Sequence, residues 1–252
     1  MNTDTNTNTN TDTNTKTNIK GPVSITIMKN ENNKEICFFG DIHFIGNEKC
    51  NNSITICDLL TEKYNNEKDT YFIFEIDKNF NYKKDNYIVR LKNLFENKKR
   101  IIMCDKRQTY EHLFDIDDIT DIDSNMLYLK KVWLNILKKY KRKLNKVDEN
   151  LYDVLIEIRK LLEYENKEIF KLLQKNNRDK DKLQIRYSSI IFDVFLLLEI
   201  FNINRKNIVV YAGETHIFRM KKILKSLGFK IVKESKQNTF QCINNVFNNL
   251  KK

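Results

Sequence analysis

NIVVYAGETHIF, residues 207–218, decides the fold. Its first half, Ile208-Val209-Val210-Tyr211-Ala212, is a short apolar run that suits a strand covered on both faces. Gly213-Glu214-Thr215-His216 follows, and from His216 to Leu227 the spacing predicts a helix closed by Gly228 as a left-handed cap. Residues 229–232 read as the next strand. Strand, helix, strand in this order implies a mostly parallel sheet. Polar side chains placed where such a strand ends lie on the edge at which open α/β sheets bind ligands.

The same setting occurs once more, far upstream. Ile36-Cys37-Phe38-Phe39 runs into Gly40-Asp41-Ile42-His43. The chain has only three histidines and five glycines, so two of the histidines stand in matching G-x-x-H tetrads. The tetrads read as two halves of one site.

Between them the pattern stays α/β. Residues 23–28 alternate like a strand, 29–34 hold three Asn and read as a turn, and 35–39 form a second strand, so a hairpin is expected. Residues 54–64 and 86–97 have helical spacing. Residues 71–76 and 100–104 are short buried-type strands. Beyond Ser124 the pattern changes: 126–144, 151–173 and 183–201 are long helical segments without Gly or Pro, broken most clearly at 176–181. The predicted fold class is α/β, a mostly parallel sheet flanked by helices. A helical insertion over 125–203 lies between the third and fourth parallel strands.

Residues 1–21 are an Asn/Thr-rich tail too poor in apolar groups to offset its ordering entropy, and disorder is expected there. Residues 22–252 then form a single α/β domain. The tail has neither the cationic start nor the apolar core of a signal peptide, and no apolar run is long enough to span a bilayer. A cytoplasmic protein follows, with no membrane partner. The net charge of +11 permits phosphate binding. However, the lysines are spread along helical faces beside acids and no Arg-aromatic platform is seen, which argues against nucleic acid. Cys37, Cys50, Cys57, Cys104 and Cys242 form no C-x-x-C pair; Cys37 and Cys104 suit core positions, and Cys50 and Cys57 read as free thiols.

Polar groups at predicted strand ends are Asp41 and His43, Glu75 and Asp77, Asp105 and Arg107, Glu214 and His216, and less clearly Glu234. Two imidazoles with carboxylates can hold a divalent metal such as Mn, Co, Zn or Fe. The same groups can work without metal, with His as base and an acid orienting its ring. Arg107 could then stabilise an oxyanion or clamp an anion. Asp41 and Thr215 could equally be helix N-caps. Glu75 lies among Phe72, Ile73, Phe74 and Ile76, and a buried carboxylate needs a partner. Asp193, inside the apolar run 190–201, either enters the site or pairs within the helices. His112 reads as a surface residue.

FFGDIH (38–43), FIFEID (72–77), IIMCDKR (101–107), the helices 126–203 and VVYAGETH (209–216) together resemble the superfamily of Tiki/TraB proteins, erythromycin esterases and haem-binding lipoproteins. FFGDIH, FDVFLLLEIF (192–201) and YAGETHI (211–217) are more closely similar to uncharacterised proteins of giant DNA viruses, which brings no activity with it. The superfamily implies hydrolysis in some branches. Its Tiki-like members imply a metal held by His43, His216 and Glu75; its esterase-like members imply water activation by His and Glu. Asp41, Glu214, Asp105, Arg107 and Asp193 would orient and stabilise, and the substrate would be a small molecule or peptide. Haem-binding members show that the fold need not be catalytic. A non-catalytic protein that binds a host protein through the helical block is the alternative. Calcineurin-like phosphatases share Gly-Asp-Ile-His but need two metals and more histidines than this chain has.

Overall fold

The computed structural model describes residues 18–42, 50–64, 67–77, 87–95, 100–105, 151–174, 180–236, 242–244 and 247. Its frame is a six-stranded, mostly parallel sheet in the order β6-β5-β7-β3-β2-β8. These strands are β2 (Ser24–Lys29), β3 (Glu35–Asp41), β5 (Thr70–Asp77), β6 (Ile101–Asp105), β7 (Asn207–Gly213) and β8 (Lys230–Lys236). Only β2 runs against the others. The predicted hairpin is present: β2 pairs antiparallel with β3 across a turn in which Asn33 takes a positive φ of 59°.

Each strand end of the parallel set therefore opens on the same edge. β7 lies between β3 and β5, and its register with β3 sets Gly40 against Ala212 and Asp41 against Gly213. The strands that carry the two tetrads are neighbours, and Gly40 and Gly213, which open the tetrads, lie side by side with a one-residue stagger.

Alternating side chains give the sheet two apolar faces. Phe38, Ile73, Ile208 and Val210 face one core, filled by α3 (Leu151–Gln174), α4 (Lys180–Asn202) and α5 (Glu214–Ser226). Cys37, Phe39, Phe72, Phe74 and Tyr211 face the other, covered by α1 (Ile56–Tyr64) and α2 (Tyr87–Phe95). Stacking of Phe72 on Phe95, with ring centroids 4.2 Å apart, ties α2 to β5. From Ile190 to Leu198 every residue of α4 is buried, which explains its lack of an amphipathic stripe.

Helix α5 begins at Glu214, two residues before the expected start, and its N-cap is Gly213. Thr215 is thus a first-turn residue rather than a cap. Helix α5 ends as the sequence predicts: Gly228 takes φ 84°, a conformation open to a residue without Cβ. The segment 126–144 lies outside the described residues; α3 and α4 match the two later helical segments.

Two expectations are corrected. Asn18–Lys20 form strand β1, paired with β4 (Ser53–Thr55) and β9 (Cys242–Asn244) in a separate three-stranded sheet. These three residues are thus ordered within the stretch 1–21 where disorder was expected, with Ile19 fully buried against the α1 face. Cys50 is not a free thiol: it forms a disulfide with Cys242, their Cα atoms 5.6 Å apart. Cys37, Cys57 and Cys104 are free and buried. No helix among the described residues is long and apolar enough to cross a membrane.

Candidate functional site

The connections leaving the sheet diverge between β5 and β7. The chain beyond β5 reaches α2 on one face, and β7 leads directly into α5 on the other. Strand ends at such a switch point are where α/β sheets bind their ligands. Glu75 and His216, both buried, meet at this edge.

Glu75 shares a face with Ile73, toward α4 and α5, and is 5% exposed. Its Oε2 accepts the backbone N–H of Gly213 at 2.7 Å, so the helix-capping peptide bonds a carboxylate of the neighbouring strand. Its Oε1 lies 3.5 Å from His216 Nε2. A negative group at the α5 N-terminus also suits the helix dipole.

His216 is held from behind. Its Nδ1 is 2.6 Å from Asp193 Oδ1, and Asp193 is completely buried. The second oxygen, Asp193 Oδ2, accepts from Arg219 Nη1 at 2.8 Å, and the same Nη1 donates to Ser189 Oγ at 2.6 Å. Phe192 closes the ring's side edge-on, at a centroid distance of 4.5 Å. Burial by itself pulls the imidazole toward neutrality. The Asp193 carboxylate, and then Glu75, outweigh it and hold the pKa up at about 9. Asp193 thus belongs to the site. Ser189 and Arg219 are additions that the sequence reading missed; the signal was their spacing, one turn from Asp193 on α4 and from His216 on α5.

The other predicted residues separate. Asp41 follows Cys37 and Phe39 onto the opposite sheet face, where its Oδ2 accepts the Tyr211 hydroxyl at 3.0 Å. Burial, reinforced by Asp41, pushes that phenol well above its ordinary range and keeps it a donor. The sheet therefore stands between Asp41 and the His216 group. Glu214 bonds Ser24 Oγ, and its Oε1 is 3.1 Å from Lys236 Nζ. These contacts tie α5 to β2 and β8, away from the imidazole. Gly40 makes that arrangement possible: a Cβ there would collide with the Glu214 carboxylate and the Ser24 hydroxyl. Glu234 is occupied by Lys221 at 2.6 Å and Thr26 at 3.0 Å. Asp105 ends β6, two strands from β7, and is buried. His43, Arg107 and His112 lie outside the described residues.

Among the described residues no group of three His, Cys, Asp or Glu is arranged to hold a metal. Two of the three nominated ligands nevertheless suit one. Ligand atoms about 2.0–2.1 Å from a tetrahedral ion stand roughly 3.3–3.4 Å from each other, close to the 3.5 Å between His216 Nε2 and Glu75 Oε1. Asp193 behind Nδ1 gives the carboxylate–histidine support usual for such ligands.

No family model matches the chain, and no curated protein or solved structure is significantly similar to it.

Proposed function

We propose that this protein is a hydrolase of the G-x-x-H type, acting on a small-molecule or peptide substrate at the edge where β5 and β7 end. The observation that carries the proposal is a buried imidazole fixed by Asp193 on one nitrogen and facing Glu75 with the other. A structural histidine needs one good partner. This one has a carboxylate on each side, at the sheet edge where ligands bind.

Nδ1 donates to Asp193, so Nε2 is the working nitrogen. With the pKa near 9, the ring is an imidazolium at neutral pH. In a metal-free reaction, Glu75 takes a proton from water as the oxygen attacks the acyl carbon. His216 then gives its Nε2 proton to the departing oxygen or nitrogen as that bond breaks. The alternative assignment uses His43, His216 and Glu75 as ligands for Mn, Co, Zn or Fe, which would polarise the scissile carbonyl and acidify water. His216 must lose its Nε2 proton to serve there, so uptake would release protons.

The proposal keeps 125–203 as one helical insertion covering the catalytic face. It keeps Arg107 and Asp105 as candidate stabilisers, and assigns Asp41 and Glu214 to holding the strand ends. A cytoplasmic location is harder to reconcile with the Cys50–Cys242 bond, which suits an oxidising setting such as a virion. The competing idea is a non-catalytic module that binds a host protein through its helices. On α3, Arg159–Glu163, Lys160–Glu157 and Lys171–Glu168 pair along the surface, which leaves those charges internally matched.

The test is a screen of esters, amides and phosphomonoesters, with each metal and with chelator, alongside calorimetric metal titration. Turnover or metal uptake that disappears in His43→Ala and His216→Ala supports the reading. Neither turnover nor uptake under any condition defeats it.

A further inference from the structure

Ser189 and Asp193 lie four residues apart on α4, and His216 and Arg219 three apart on α5, so each pair lies on one helical face. The two faces meet in one chain of contacts: Ser189 Oγ, Arg219 Nη1, Asp193 Oδ2 and Oδ1, His216 Nδ1. A carboxylate in a fully buried position can rotate about its terminal torsion, and either oxygen could then face the imidazole. Arg219 removes that freedom. Its guanidinium is a permanent, planar donor that takes Oδ2, and the same Nη1 also donates to Ser189 Oγ, which anchors it on α4.

We infer that Arg219 is a positioning residue for His216: by engaging Asp193 Oδ2 it aims Oδ1 at Nδ1–H, and so fixes the ring orientation that leaves Nε2 facing Glu75. The inference rests on the reading of Nε2 as the working nitrogen. The side-chain hydrogen bonds of Arg219 to described residues run to Asp193 and Ser189, so its path to His216 is through Asp193. Mere support of the helix pair would require the ion pair between α4 and α5, but would leave the Nδ1–H bond to Asp193 indifferent to it. Positioning makes the state of the ring depend on residue 219.

The experiment is imidazole nitrogen–proton correlation NMR on the full chain at pH 7. With only three histidines, His216 is assigned by the signal lost in His216→Ala. Wild type should show a downfield, slowly exchanging Nδ1 proton. Arg219→Ala should lose it, and Ser189→Ala should broaden it. An unchanged Nδ1 resonance in folded Arg219→Ala overturns the inference. Should Arg219→Ala fail to fold, Arg219→Lys decides. Its ammonium lacks the fixed plane, so broadening is expected and an unaltered resonance is the overturning result. Where the wild type turns over an ester, Arg219→Ala should lower kcat about 10–100-fold with KM little changed. Absence of all turnover would remove the hydrolase reading alone; the ring spectrum would still decide the part played by Arg219.

Discussion

Asp193 and His216, on different helices and 23 residues apart, share a 2.6 Å hydrogen bond next to the β5–β7 switch point. The bond gives a buried acid its partner and leaves a buried imidazole one free direction, toward Glu75. From it follow the charge state of the site and the cost of disturbing it.

Asp193→Ala should be among the most damaging single changes. It strips the counter-ion from both Arg219 and protonated His216, and breaking such a buried pair costs about 3–5 kcal/mol. Asp193→Asn retains a hydrogen-bond acceptor and should cost less. Urea denaturation of both variants measures the difference.

The imidazole also makes stability depend on pH in the metal-free protein. Its pKa rises from the ordinary histidine value of 6.5 to about 9 in the fold. A group raised by folding stabilises fully below its unfolded value, and that stabilisation fades as pH climbs through its folded value. The stability gap between wild type and His216→Gln should therefore be largest below about pH 6.5 and should shrink steadily toward pH 9 and above. A gap that widens over this range would reverse the assignment of the proton.

Gly40→Ala should destabilise by about 1–3 kcal/mol, as added atoms do in a tight core. The new methyl meets the Glu214 carboxylate and Ser24 hydroxyl. Shortening Glu214 makes room, so Gly40→Ala should cost much less in a Glu214→Ala background. A double-mutant cycle with a large coupling energy supports the packing; additive effects argue against it.

Cys50 and Cys242 close a loop of 192 residues and brace a sheet of three-residue strands. Replacing both by Ser should lower stability by about 2–5 kcal/mol. A dithiol should shift wild-type melting downward and leave the double variant unmoved.

Much of the frame was legible because apolar runs such as 208–212 and 71–76 can only be strands in a covered sheet, and the glycines mark where they stop. Asp193 and Glu75 stood out because each interrupts an apolar run and needs a partner. What the sequence hid was placement across space. Asp41 looked like a site residue until strand alternation put it with Phe39 and Tyr211 on the other face. Arg219 carries no local signal of its own in the sequence. Its meaning depends on α4 lying against α5, which no local pattern encodes. The Cys50–Cys242 bond joins positions too distant for any spacing motif.

The most direct measurement is the rate of hydrolysis, on the best substrate from an ester and amide panel, by wild type, Glu75→Gln and His216→Ala under matched metal conditions. The account predicts measurable wild-type turnover, a loss of at least about a hundredfold in both variants, and retained folding by circular dichroism. Turnover that persists in both variants, or its absence in wild type under every condition, contradicts it.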